Sequence, residues 1–219
     1  MIIACVLKTG GRYDESWVEK LQRSIQTSIS YDFVCLSDQK LSCCETILLE
    51  ENWPKWWSKL ELFNVFKTER VFYMDLDDVI VGSLDPLMSL DRPFVVAHDW
   101  THPKKRIVNS TAMLWKGDFS GLTQRFASDV DKTVHYYDVV LPKTTERDGR
   151  RMVADQAYIE HEKKDLEFFN ELLGSDTIIS SYKLNRCDIE IPADAAIVSF
   201  HGRNKPDTAQ AAWIKDFWK

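Results

Sequence analysis

The sequence predicts an α/β fold with a mixed, mostly parallel sheet flanked by helices. Three observations predict it. In the first half, short continuous apolar runs alternate with stretches of helical periodicity. The runs have the length and composition of strands buried on both faces. Clusters of polar and glycine residues follow several of these runs, where open α/β sheets bind ligands.

Residues 2–7 (IIACVL) form the first buried strand, and Lys8-Thr9-Gly10-Gly11 is a turn. Asp14 is placed to cap a helix carrying Trp17, Leu21, Ile25 and Ile29 at intervals of four. Residues 33–36 are a second strand. Ser58 is expected to cap a helix with Leu60, Phe63 and Phe66 on one face, leading into a third strand at residues 71–74. The second half is less regular. Residues 94–97 and 112–115 read as strands, and residues 155–163 and 166–173 as helices, the latter stopped by Gly174. Residues 195–200 are a late buried strand running into His201-Gly202.

At 219 residues, with 44% hydrophobic and 28% charged residues, the chain suits one domain with a real core. Its formal net charge of -6 argues against a nucleic-acid partner. The basic clusters at residues 104–106 and 147–151 are short. The five cysteines include no CxxC pair, and Cys5 and Cys35 lie inside apolar runs, as free thiols in a reducing compartment do. With no signal-peptide core and no apolar window long enough for a membrane span, the expected location is cytoplasmic. The sequon at Asn109 is expected to stay unglycosylated. His98 and His102 share an i, i+4 spacing, but Pro103 and the loop-like Asp99-Trp100 argue against a zinc helix. Among the eight tryptophans, Trp53, Trp56, Trp57 and Trp100 are candidate platforms for sugar rings, with core packing the commoner use of an indole.

The most informative stretch is VFYMDLDDVIV, in which a buried strand ends in Asp75, Asp77 and Asp78. In extended backbone Asp75 and Asp77 share a side, and Asp78 faces the other way. Two carboxylates together past a buried strand are costly to ionise without a cation, and a hard divalent ion with oxygen ligands relieves that cost. A solvated acidic turn, with Asp78 or Asp85 capping a helix, is the plainer alternative. Two enzyme classes use a DxD after an apolar strand. In haloacid-dehalogenase-type phosphatases Asp75 would be the nucleophile and Asp77 the acid–base. That class normally puts the motif on its first core strand and adds a later acidic pair, neither of which is evident here; Asp118 is isolated.

Nucleotide-sugar glycosyltransferases of the GT-A fold are the second class. The segments WSKLELFNVFKTERVFYMDLDD, NSTAMLW, ADQAY and FHGRNKPD occur in the order seen in glycosyltransferase family 8, the glycogenin-like group. The chain resembles that family from its first strand to Pro206, and a chlorovirus glycosyltransferase domain is one candidate for such a relative. The resemblance implies a GT-A (Rossmann-like nucleotide-diphospho-sugar transferase) domain over residues 1–219. Residues 1–90 would be its nucleotide-binding half, and residues 91–219 its acceptor-side half with the closing motif. It implies Mn²⁺ or Mg²⁺ held by Asp75 and Asp77 with the diphosphate of a UDP-sugar, and Lys59 contacting the donor. It also implies Asn109 on the donor sugar, Thr9 and Tyr13 near the nucleoside base, and Lys205 on phosphate. Asp75 is also a candidate for the ribose. Each has a plainer reading as a surface, turn or packing residue.

The departures are specific. The family's histidine ligand stands three residues before the motif glycine, where this chain has Ser199; His201, one residue before Gly202, is the replacement candidate. Thr111 replaces the glycine after Asn-Ser, and Asp207 the tryptophan after Lys-Pro. The expected activity is transfer of a hexose or deoxyhexose from a UDP-sugar to a hydroxyl of a glycan or glycoprotein acceptor. A non-catalytic sugar-nucleotide-binding module is a further alternative. An inverting enzyme would need a carboxylate base, for which Asp78 and Asp155 are the candidates; a retaining one would not.

Overall fold

A computed structural model describes residues 1–51, 53–102, 105–145 and 153–219. Its main sheet has the order β3-β2-β1-β4-β7-β6-β8. Strands β1 (Ile2–Leu7), β2 (Asp32–Ser37), β3 (Glu45–Leu48) and β4 (Arg70–Met74) run parallel, with β1 in register against both β2 and β4. Strand β7 (Val108–Lys116) runs antiparallel to β4 and to β6 (Phe94–His98), and the two-residue β8 (Glu167–Phe168) adds at the edge. The sheet is therefore mixed and mostly parallel. A smaller sheet places β10 (Ile197–Ser199) between β5 (Asp78–Ile80) and β9 (Ile179–Ser181).

Period-two alternation sorts the strand side chains into two layers. From β1 and β4, Ala4, Val71 and Tyr73 face one layer with Trp57, Phe63 and Phe126. Ile3, Cys5, Leu7, Phe72 and Met74 face the other with Trp17, Leu21 and Leu87. Both faces are thus covered by helices, which is why these strands read as continuous apolar runs. Under the small sheet, Val79, Val198 and Phe200 pack with Tyr182 and Ile214. No helix of the described residues is long and apolar enough to cross a membrane.

Several local expectations are revised. Helix α1 (Glu15–Ser24) is capped by Asp14, whose side chain accepts from Ser16 N at 3.0 Å, but it stops before Ile29. The chain turns extended at Ile25, and Thr27 and Ser28 are tied to Asp85 instead, Ser28 N at 2.9 Å. Ser58 is no cap. It sits inside a 3₁₀ segment, Lys55–Glu61, and its hydroxyl donates to Lys55 O; α2 (Leu62–Val65) follows. Residues 166–173 divide into β8 and α8 (Phe169–Leu173), because β6 offers a free edge to the first part. The late strand shrinks to β10. Strands β3, β5 and β9, and helices α3 (Asp85–Met88), α4 (Ser120–Ala127), α5 (Val130–His135) and α6 (Leu141–Thr145), had no clear periodic signal. A π turn, Tyr136–Val140, joins α5 to α6. Helix α7 (Ala154–Glu162) matches expectation to a residue at each end, and α9 (Ile214–Phe217) closes the chain.

All five cysteines are free thiols, Cys5 and Cys35 buried. Arg106 is taken up by Glu171 and by Leu166 O, so it serves packing. Its neighbours Pro103 and Lys104 and the 147–151 cluster lie outside the described residues. His98 is buried in β6, while His102 turns back to Asp99.

Candidate functional site

Strand β1 pairs with β2 on one side and with β4 on the other, so the connections leaving β1 and β4 diverge. A doubly wound sheet opens a crevice at such a point, beyond the carboxyl ends of the strands. A cavity of about 790 Å³ lies there. Its lining gathers the loop after β1, the turn after β4, the start of the 3₁₀ segment, part of β7, the start of α7 and the loop after β10. Thr9, Tyr13, Lys59, Asp75, Asp77, Asn109, Asp155, His201 and Lys205 all line it. Gly10, in the loop after β1, takes φ +82°, a left-handed conformation that glycine adopts without strain.

The DLDD stretch is a tight turn, closed by Asp78 N to Asp75 O at 3.2 Å and pinned by Asp75 N to Thr111 O at 2.8 Å. The turn sends Asp75 and Asp77 into the cavity and Asp78 into β5. Asp78 is not among the lining residues. It is almost fully buried, accepting from Thr111 Oγ1 at 2.9 Å, and Ser199 Oγ lies 2.9 Å from the same hydroxyl. Burial, then the charges of Asp75 and Asp77, raises the Asp78 pKa well above the usual carboxylate range. Through these hydroxyls the Asp78 carboxyl joins β5, β7 and β10 and braces the two sheets together.

Each cavity carboxylate is held by a lysine. Lys59 is buried, and its Nζ lies 3.0 Å from both Asp75 Oδ1 and Asp155 Oδ2, with Ser110 Oγ at 3.2 Å. Burial works against its charge, but Asp155 and Asp75 outweigh it and raise the ammonium's pKa. Lys205 donates to Asp77 Oδ2 and to Phe200 O. Tyr13 OH donates to the same Asp77 oxygen at 2.9 Å, and Tyr73 OH donates to Asp75 Oδ1. Burial and then Asp75 raise the pKa of Asp77; Lys205 and Tyr13 oppose them.

The polar row therefore runs from Tyr13 and Lys205 through Asp77 and Asp75 to Lys59 and Asp155. Ser110 Oγ completes the far end, donating to Asp155 Oδ2 at 2.6 Å. Asn109 faces the cavity while its Oδ1 accepts from Thr111 N at 3.0 Å.

His201 does not join the carboxylates. Its Nε2 lies 2.6 Å from Ser181 Oγ, and its ring stacks on Trp100 at 5.4 Å and 13°. Desolvation, then Lys205 and Lys183, lowers its pKa. Among the described residues no three His, Cys, Asp or Glu side chains form a group that could hold a metal ion. The pair Asp75–Asp77 fits a hard divalent cation in donor chemistry, since Asp75 Oδ2 and Asp77 Oδ1 accept no hydrogen bond among the described residues. Further ligands would have to come from a bound phosphate or water.

Other contributors had weaker sequence signals. Asp38, just after β2, accepts from Thr9 N at 3.0 Å and Thr9 Oγ1 at 2.8 Å and so fixes the β1 loop; its place at a strand end was the available clue. Arg12 pairs with Asp207 at 2.5 Å, joining the β1 loop to the loop after β10. Gln156 lines the cavity beside Asp155. Lys55 and Ala154 have φ of 53° and 57°, and both line the cavity. Left-handed backbone at non-glycine residues costs about 1–3 kcal/mol each and clusters at functional sites.

No protein-family profile and no curated protein matches the chain. Solved structures do. The galactosyltransferase LgtC, in complex with donor and acceptor sugar analogs, matches at TM-score 0.63 and 13% identity, over 99% of this chain and 94% of that one. The glycosyltransferase GlyE of Streptococcus pneumoniae TIGR4 matches at TM-score 0.66 and 13% identity, over 99% of this chain and 60% of GlyE. The bifunctional glycosyltransferase WbbM matches at TM-score 0.58 and 8% identity, over 98% of this chain and 50% of WbbM. At these identities the likeness establishes the fold, which is the GT-A fold.

Proposed function

We propose that the protein is a metal-dependent glycosyltransferase that moves a hexose or deoxyhexose from a UDP-sugar to an acceptor hydroxyl. The observation that carries the reading is the pairing of Asp75 with Lys59 and Asp77 with Lys205 at one cavity on the carboxyl-end crevice. Carboxylates and ammonium groups on one wall suit a diphosphate that arrives with a divalent cation. The glycosyltransferases of the same fold support sugar transfer as the chemistry.

In this reading Asp75 and Asp77 hold Mn²⁺ or Mg²⁺. When bound, the cation neutralises charge on the diphosphate leaving group. Lys205 gives up Asp77 and donates to a phosphate oxygen as the sugar–phosphate bond breaks, an electrostatic role aimed at developing charge. Thr9 and Tyr13 face the nucleoside, with Asp38 holding the β1 loop in place. Lys59 and Asn109 position the donor sugar. Asp155, on the cavity wall, is better placed than Asp78 to act as a base if the reaction inverts. Holding donor and acceptor together removes much of the entropic barrier.

The test is a panel of nucleotides and nucleotide-sugars in thermal-shift assays with and without Mn²⁺. A rise in melting temperature with UDP plus Mn²⁺, and slow release of UDP from one UDP-sugar, are the expected results. No shift with any nucleotide would end the proposal.

A further inference from the structure

Of the eight tryptophans, Trp56 is the exposed one, at 43%. Its chain neighbours Trp53 and Trp57 are buried, Trp57 stacked on Phe126 at 4.8 Å. Trp56 instead lines the cavity. An indole left open to water forgoes the burial that its apolar area would give, and this one is turned to a wall that already carries polar groups. The backbone fixes it there: Lys55, immediately before it, takes the left-handed φ of 53°, a conformation that a lysine adopts only when its surroundings impose it. The ammonium of Lys55 lies 5.2 Å from the Trp56 ring centroid, over one face of the indole.

Position decides what that face is for. The 3₁₀ segment bearing Trp56 also bears Lys59, which joins Asp75 to Asp155. Tyr13 reaches Asp77 from the β1 loop. The indole is thus carried by the segment that holds Lys59, and that segment packs against α7, which begins with Ala154 and Asp155.

We propose that Trp56 is the acceptor platform, and that the acceptor is a saccharide whose ring stacks on the indole. This rests on the glycosyltransferase reading and narrows its acceptor to one class. A pyranose presents a face of C–H bonds carrying partial positive charge, which suits the negative face of an indole. Its rim of hydroxyls needs hydrogen-bonding groups beside that face. Asp155 and Gln156 at the start of α7, and Lys55, line the same cavity and carry groups of that kind. A serine or threonine hydroxyl on a peptide has no such face to offer.

The experiment uses the whole chain with methyl β-galactoside, methyl α-glucoside, methyl α-mannoside and methyl β-N-acetylglucosaminide as probes. Saturation-transfer NMR reads saccharide binding, thermal shift reads UDP binding, and product formation reads the acceptor KM. Trp56→Ala is expected to weaken saccharide binding and raise the acceptor KM at least tenfold, while Trp56→Phe stays within about threefold of the parent because the aromatic face is kept. UDP is expected to shift the melting temperature of both variants. The proposal is overturned if Trp56→Ala binds and uses the saccharides as the parent does. It is also overturned if Trp56→Ala loses UDP binding, which would make Trp56 a nucleoside platform, or if the parent glycosylates peptide hydroxyls and none of the saccharides. Failure of the parent to bind UDP would count against the glycosyltransferase reading alone; saccharide binding that depends on Trp56 would then still mark a sugar site.

Discussion

Lys205 donates to Asp77, a residue 128 positions earlier in the chain, and so ties the loop after β10 to the turn after β4. The ammonium holds one oxygen of the carboxylate that the proposed cation would share. Lys205→Met is therefore expected to act in opposite directions on two ligands. Mn²⁺ alone should bind several-fold more tightly, because its competitor is gone. UDP with Mn²⁺ should bind more weakly by about 1.5–3 kcal/mol, the worth of a hydrogen bond to a charged group. Calorimetric titration of each ligand checks both signs, and weaker Mn²⁺ binding would contradict the competition.

Asp77→Ala is expected to abolish the rise in melting temperature with UDP plus Mn²⁺. Tyr13 and Lys205 lose an acceptor in this variant, but both are only partly buried, so the fold should persist. Binding of UDP that survives the change and needs no metal would sink the assignment of Asp77.

Lys59→Met removes the ammonium from between Asp75 and Asp155. Breaking a buried ion pair from one side leaves a buried charge uncompensated, at about 3–5 kcal/mol. For a chain of this size that is a fall in melting temperature of roughly 10 °C. The Lys59→Met/Asp155→Leu double variant should recover part of it, and scanning calorimetry on both checks the coupling.

Asp78 and Asp155 are expected to part company. Asp78→Asn keeps an acceptor oxygen against Thr111 and Ser199 and should fold and bind UDP, whereas Asp78→Ala leaves those buried hydroxyls short of an acceptor at about 1–3 kcal/mol. Asp155→Asn should bind UDP and fail in transfer if the enzyme inverts. Urea midpoints and turnover measured together separate brace from base, and full turnover in Asp155→Asn would remove that residue as the base.

Burial lowers the pKa of His98, against the smaller opposing pull of Asp176, Asp99 and Glu171. The folded protein thus holds fewer protons at this site than the unfolded chain. Its contribution to stability is present above the unfolded pKa of about 6.5 and is lost as pH falls through the lower folded value. Urea midpoints at pH 7.5 and pH 5 should diverge more in the parent than in His98→Gln. Equal losses would place the acid sensitivity elsewhere.

The strands that position the site were legible because burial on both faces leaves a local mark. The runs at residues 2–7, 33–36, 71–74 and 112–115 each became part of one sheet. The strand-end clusters were legible for the same reason, since charge directly after an apolar run needs a ligand or a partner. Short elements left no such mark. Strands β5 and β9 are three residues long and take their pairing from β10, and the segment from α4 to α6 is broken into turns of different pitch. Ile29 kept the helical spacing yet left the helix, because Asp85, far along the chain, holds Thr27 and Ser28.

The sequence by itself determined a parallel strand–helix start, and an acidic turn after its third predicted strand with Asp75 and Asp77 on one side. Those follow from local periodicity and from the cost of charge beside a buried strand. Only the tertiary structure decided the partners. It gave Lys205 to Asp77, Lys59 to Asp75 and Asp155, His201 to Ser181 and Trp100, and Asp78 to Thr111 and Ser199. It also turned Trp56 to the cavity while burying Trp53 and Trp57. Which groups meet depends on how distant segments pack, and no spacing along the chain carries that.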